Sequence, residues 1–143
     1  MSAFKEIIKI GQLELSFLLD GDDTNNQMVV FELLIPPGAK VPAAHYHIEV
    51  DEMLYGMEGT FTSHVDGKTV YTSIGETLFI PRGAVHQHDN LSDKTAKALC
   101  VLTPASIGPA YFRELAQLLQ AGGPPDPAKV VEIMGRHGLV AAR

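Results

Sequence analysis

The chain is poor in cysteine: Cys100 is the only one in 143 residues. A single thiol can form neither an internal disulfide nor a cysteine-based zinc cluster, so any metal site must use histidine and carboxylate. Basic residues are scarce as well. The 11 Lys and Arg stand against 17 Asp and Glu, for a net charge of −6, and form no cationic stripe that could neutralise phosphates. Nucleic acid is therefore a poor partner. No apolar run approaches the roughly 18 residues that a membrane span requires. The opening MSAFKEIIKI lacks a basic leader, an apolar stretch and a small-residue cleavage site. A cytoplasmic protein without a membrane partner is the expectation. Internal repeats and low-complexity tracts are also missing.

What is present suits one soluble globular domain, with 45% hydrophobic and 20% charged residues. From Phe4 to Thr103 short β-prone runs alternate with turn residues: FKEIIKI, LELSFLL, QMVVFELLI, EMLYGM, FTSHV, KTVYT, ETLFI, VHQHD and AKALCVL. That spacing predicts an antiparallel sandwich or barrel. Asp66-Gly67 fits a two-residue hairpin turn, and Pro36-Pro37-Gly38 and Pro81-Arg82-Gly83 stop strands. Alternation with Glu32 and Lys97 outward turns Val29, Phe31, Leu33, Ile35, Ala98, Cys100 and Leu102 inward. With Glu76 outward, the same reasoning turns Thr77 and Phe79 inward.

After residue 104 the period changes, dividing a barrel at 1–104 from a helical tail of the same domain at 105–143. Tyr111, Phe112, Leu115, Leu118 and Leu119 recur at helical spacing until Gly122-Gly123-Pro124-Pro125. A second helix is expected from an Asp126 N-cap with Pro127 in the first turn, with Val130, Val131 and Met134 on one face and a stop near Gly138. The helices are expected to pack on the outside of the barrel or on a second subunit rather than to cover its mouth.

The stretch AHYHIEVDEMLYGMEG, residues 44–59, holds His45 and His47, followed by Glu49, Asp51 and Glu52. On a strand the two histidines share a face, with Cα atoms about 6.6 Å apart. Simple alternation puts Glu49 on that face, whereas Glu52 reaches it only after a bulge or turn. A second stretch, GETLFIPRGAVHQHDN at 75–90, carries His86 and His88 in the same relation.

Gly38, His45, His47, Glu52 and Gly59 resemble the first motif of the cupin superfamily. Gly75, Pro81, Gly83, His86 and Asn90 resemble the second, with every fixed position filled. The two glycines and the proline of the second motif alone would fall into register at roughly two in ten thousand starting positions. Six residues separate Gly38 from His45 where the family commonly has five.

The resemblance implies an all-β fold, a single antiparallel jelly-roll barrel with a C-terminal helical extension. It also implies one divalent transition metal ion (Fe, Mn, Ni or Zn) held by His45, His47, Glu52 and His86. It makes Glu49 and Asp51 rim or turn carboxylates, and His64 and His137 match no motif position. Asn90 is expected to hold its loop by hydrogen bonds. His88 is either a group beside the metal or substrate or an ordinary rim histidine, and Cys100 is a core residue.

Three imidazoles and a carboxylate suit a divalent transition ion, and octahedral coordination would leave two adjacent positions open. The nearest likeness, to quercetin dioxygenase-type cupins, implies a metal-dependent oxygenase acting on a small chelating substrate, with Glu52 as both ligand and proton acceptor. Phe31, Phe79, Met53 and Tyr71 are candidate walls. Alternatives are a sugar isomerase or epimerase, disfavoured by few basic residues near the motifs, and a non-catalytic binding module. Exposed strand edges and apolar helices lead us to expect a homodimer.

Overall fold

The computed structural model describes residues 3–41, 43–122 and 125–142. Among these residues, ten strands precede the helices: β1 (Glu6–Ile10), β2 (Leu13–Leu19), β3 (Val29–Ile35), β4 (His45–His47), β5 (Asp51–Glu58), β6 (Phe61–Val65), β7 (Lys68–Thr72), β8 (Thr77–Ile80), β9 (His86–Asp89) and β10 (Ala96–Thr103). Two helices, α1 (Pro109–Gln120) and α2 (Pro127–Arg136), are followed by a short strand β11 (Leu139–Ala141). All pairings are antiparallel, in one sheet ordered β1-β2-β3-β10-β5-β8 and another ordered β11-β4-β9-β6-β7. This is the expected jelly roll.

Strand alternation explains the core. On β3 and β10 the residues Val29, Phe31, Leu33, Ile35, Ala98, Cys100 and Leu102 are all buried, while Glu32 and Lys97 pair at 3.6 Å on the outer face. Asp66 and Gly67 adopt φ of 48° and 81°, both left-handed, joining β6 to β7 with Val65 opposite Lys68. This is the hairpin turn that Asp-Gly favours.

Three expectations are corrected. Phe79 is 61% exposed and Thr77 is also exposed, because the register pairs Met53 with Phe79 and Glu52 with Ile80. Directly opposite residues share a face, so an inward Glu52 brings Ile80 inward and sends Phe79 out. Glu76 misled the parity because it precedes the strand, accepting a hydrogen bond from the Ser73 N–H in a turn. In α2, Val130, Ile133 and Met134 are buried whereas Val131 is 52% exposed, since neighbours in a helix lie about 100° apart. The start of α2 is as expected, with Asp126 accepting from the Ala128 N–H. Of the glycine-proline break before it, Gly123 and Pro124 lie outside the described residues.

The third correction concerns where the helices sit. Tyr111 and Leu115 of α1 and Met134 of α2 line the same cavity as the motif histidines, so the helices roof the barrel mouth. Phe112 anchors this roof, with its ring centroid 5.7 Å from that of Phe17 and 5.5 Å from that of Phe31. β11 was not anticipated. It pairs with β4, setting Leu139 opposite His47 and Ala141 opposite His45, and so completes the edge of the histidine-bearing sheet.

Candidate metal centre

The histidines of both motifs reach the cavity from one sheet, and Glu52 reaches it from the other. β4 and β9 are neighbours, with His45 directly opposite His86, and alternation brings His47 and His88 to the same inner face. Residues 48–50 then form a turn that carries the chain across to the other sheet, where β5 begins at Asp51. Strand parity therefore does not run through this segment, and Glu52 enters facing inward at 7% exposure.

The three acids of the first stretch separate cleanly. Glu49 is exposed. Asp51 binds Arg82 through both carboxylate oxygens, accepting from Nε at 3.1 Å, from Nη2 at 3.2 Å and from the backbone N–H at 2.9 Å. Only Glu52 joins the histidines. The Arg82 guanidinium holds the Asp51 carboxyl below its ordinary range, and this ion pair fastens the second motif's turn beside β5. Gly83, at φ 86°, donates its N–H to the His47 carbonyl at 2.8 Å. The turn that precedes His86 is thereby tied to the strand bearing the other ligand candidates.

Asn90 holds its loop as expected. It is fully buried, donates to the Ile35 and Lys94 carbonyls at 2.8 and 2.7 Å, and accepts from Ser92. His64 lies outside the centre, against Asp89 and Thr69. His137 is bonded to Glu114 between the helices.

Ring orientation decides what the histidines can offer. His45 and His86 place Nδ1 2.9 Å from the Ala43 and Ala84 carbonyl oxygens. A carbonyl only accepts, so in the neutral rings the proton is on Nδ1 and Nε2 presents a lone pair. The Nε2 atoms of His45 and His47 face each other at 3.2 Å, while a separate hydrogen bond ties His47 to the Val50 backbone. Two unprotonated nitrogens so placed are satisfied by a shared cation. Metal–nitrogen distances near 2.0–2.1 Å would separate two ligand nitrogens by about 2.8–3.4 Å, which includes the observed spacing.

The groups His45, His47 and His86, and Glu52, His86 and His88, each bring ligand atoms within 4.8 Å of one another, and all five residues are buried. Glu52 Oε1 lies 4.0 Å from His47 Nε2 and 3.6 Å from His86 Nε2. The residues fit a divalent transition ion, so this buried cluster could hold one.

Burial, reinforced by His86 and His47, pushes His45 down to about 3. Burial also pushes His47 down to about 4 against the pull of Glu52. For Glu52 burial acts upward, but hydrogen bonds and charge from His86 and His88 outweigh it and hold the carboxyl well below its usual range. His86 is raised, because Glu52 outweighs the burial that would lower it.

The remaining cavity wall is apolar. Phe31, Leu33 and Leu102 line it from the barrel, Ile10, Leu13 and Leu15 from β1 and β2, and Ile107, Tyr111, Leu115, Met134 and Leu139 from the C-terminal segment. Of the four expected wall residues only Phe31 is found there. Phe79 and Met53 are on the outer face of β8 and β5, and Tyr71 is 64% exposed on the edge strand β7 because Thr72 takes the inward place opposite Phe61. Cys100 is a buried core residue that also lines the cavity.

A family model described as "Cupin domain" matches residues 31–102, half of the chain. The chain belongs to the cupin superfamily. Among curated proteins, it is 31% identical over 93 residues to quercetin 2,3-dioxygenase of Bacillus subtilis, covering 65% of this chain and 27% of that protein. It is 32% identical over 75 residues to the tetracenomycin polyketide synthase protein TcmJ of Streptomyces glaucescens, covering 52% of this chain and 50% of that one. The chain thus spans half or less of the length of these two relatives. Among solved structures, a sugar phosphate isomerase from Silicibacter pomeroyi has TM-score 0.56 at 31% identity, covering 64% of this chain and 59% of that one. A predicted oxalate decarboxylase from Thermotoga maritima has TM-score 0.63 at 25% identity, covering 69% of this chain and 90% of that one.

Proposed function

We propose that this cupin is a metal-dependent oxygenase, with His45, His47, Glu52 and His86 holding one divalent transition ion. Its substrate would be a small, mainly apolar molecule able to chelate the ion through an enol, phenol or carboxylate oxygen. The observation that carries the substrate class is the composition of the cavity: His45, His47, Glu52, His86 and His88 at one end, a wall otherwise apolar but for the Cys100 thiol and the Tyr111 phenol, and neither Lys nor Arg among the described lining residues. A phosphorylated sugar would bury its phosphate without a cation other than the metal, at a large desolvation cost. An enol or phenol needs only the ion and the apolar wall. The similarity to a quercetin dioxygenase supports the same reading.

A bound ion would act as a Lewis acid, stabilising negative charge on the substrate oxygen. The residues supply the rest. Neutral His45 and His47 keep their Nε2 lone pairs available at neutral pH. Glu52 is the only carboxylate side chain among the described lining residues, and so is the group placed to take a proton from the substrate. Apolar lining residues, Leu102, Leu115 and Met134 among them, exclude water from the cavity. The cavity is about 70 Å³, roughly half the volume of an engineered apolar cavity that admits benzene. A planar aromatic substrate therefore requires α1 and α2 to move aside.

The test begins with elemental analysis of protein purified without chelator or affinity metal, for the wild type, Glu52→Ala and Glu49→Ala. Metal should be lost in the first variant and kept in the second. Protein loaded with iron, manganese or nickel should then consume oxygen with flavonol, diketone or phenolic substrates. Loss of metal only in Glu49→Ala would overturn the ligand set, and no oxygen uptake with any ion would remove the oxygenase reading. The structural likeness to a sugar phosphate isomerase gives a second reading, which a large rise in melting temperature with sugar phosphates would favour.

A further inference from the structure

The four histidines of the centre are not turned alike. His45 and His86 are anchored through Nδ1 on backbone carbonyls and offer Nε2 to the cavity. His88 is anchored the other way round, with Nε2 2.9 Å from Glu52 Oε2 and Nδ1 2.8 Å from Ser63 Oγ. An ionised carboxylate only accepts, so His88 Nε2 carries the proton and donates it. In the neutral ring Nδ1 then accepts from the Ser63 hydroxyl. A nitrogen whose proton is engaged with Glu52 has no lone pair left for an ion.

We propose that His88 is the positioning residue of Glu52. Held by Ser63, it fixes Oε2 and leaves Oε1 directed at His47 and His86 as the oxygen available to the metal. The proposal rests on the metal reading above and gives the two oxygens of one carboxylate separate tasks. The fold supplies each part of the chain. β6 and β9 set Ser63 directly opposite His88, and β5 brings Glu52 across from the other sheet. Ser63, His88 and Glu52 are 0%, 4% and 7% exposed, so water does not compete for these bonds. Without its partner Glu52 would be a buried carboxylate free to turn, and outer partners of this kind typically change metal affinity about 10–100-fold.

The 143-residue protein titrated with Co(II) tests this. His88→Leu should bind about 10–100-fold more weakly and show an altered visible d–d spectrum. His88→Gln, whose amide N–H can reach Oε2, should restore the spectrum and bring affinity back to within about threefold of wild type. In metal-free protein, side-chain nitrogen NMR should find His88 protonated at Nε2, and His45 and His86 at Nδ1. Should His88→Leu fail to fold, Ser63→Ala takes its place, with the same altered spectrum expected.

Wild-type affinity and spectrum in His88→Leu would overturn the proposal. So would failure of His88→Gln to rescue a folded protein, or His88 protonated at Nδ1 in the metal-free state. Failure of the metal reading looks different: wild-type protein would take up no cobalt although His88 is protonated at Nε2. That outcome overturns the role given to Oε1 while the Glu52–His88 bond stands.

Discussion

Metal-free protein should lose stability as the pH falls from 6.5 to 5, and His45 and His47 should account for the loss. Their folded values of about 3 and about 4 lie below the ordinary 6.5. In this window the unfolded chain binds protons that the folded chain does not, and stability falls with acid. At pH 5 each histidine costs about 2 kcal/mol, or about 4 kcal/mol together, from about 1.4 kcal/mol per pH unit below 6.5. Two other groups of the centre stay out of this range. His86 is raised, so its stabilisation is already present below 6.5 and is lost only as pH rises through its folded value. Glu52 is lowered, so its stabilisation is lost only as pH falls below the ordinary 4.5 and through the folded value. Urea unfolding of chelator-treated protein at pH 6.5 and pH 5 should show the midpoint falling by on the order of 2 M. A His45→Gln, His47→Gln double variant should flatten most of that dependence. A wild-type midpoint that does not change between the two pH values, or a double variant with the full dependence, would refute the reasoning.

Two further outcomes test the motif glycines and the core thiol. A Cβ on Gly59 would lie 2.3 Å from the Thr95 carbonyl oxygen at φ 62°, whereas Gly38, at φ 77°, has nothing within 4 Å. Gly38→Ala should cost only the left-handed penalty of about 1–2 kcal/mol and Gly59→Ala clearly more, with equal urea midpoints counting against the close approach. Cys100 is 1% exposed, and burial raises its thiol well above the ordinary value. It should react with a chromogenic disulfide reagent only at the rate of unfolding, and prompt stoichiometric labelling of native protein would contradict the buried placement.

The sheets and the meeting of both motifs in one cavity were legible because β alternation and fixed spacing are local signals. Val29 to Ile35 and Ala98 to Leu102 show the alternation on the page, and the register of Gly75, Pro81, Gly83, His86 and Asn90 carries the family. Legibility failed where position depended on a partner strand or a crossing between sheets. Phe79 was misplaced because its face is set by pairing with Met53, not by Glu76 before the strand. Parity alone chose Glu49, because residues 48–50 leave one sheet for the other; only the family register recovered Glu52. Ser63 carries no signal in the sequence, since its importance comes from lying opposite His88. β11 is three residues long, too short to show a period, and its strand character comes from pairing with β4.

The match to the cupin family ends at Leu102 and begins at Phe31, and that boundary divides the cavity by task. His45, His47, Glu52, His86 and His88 all lie inside it. Much of the surface a substrate would touch lies outside: Ile10, Leu13 and Leu15 before the matched segment, and Ile107, Tyr111, Leu115, Met134 and Leu139 after it. The C-terminal segment also reaches back to the metal side, since β11 pairs along His45 and His47 while α1 and α2, joined by Glu114 with Arg136 and His137, close the mouth. A displacement of the roof large enough to admit an aromatic ring would therefore pull on the strand that carries two of the proposed ligands. The proposed donor set lies within the matched segment and would set what the centre can do, whereas the roof and the first two strands lie outside that segment and would set what can reach it.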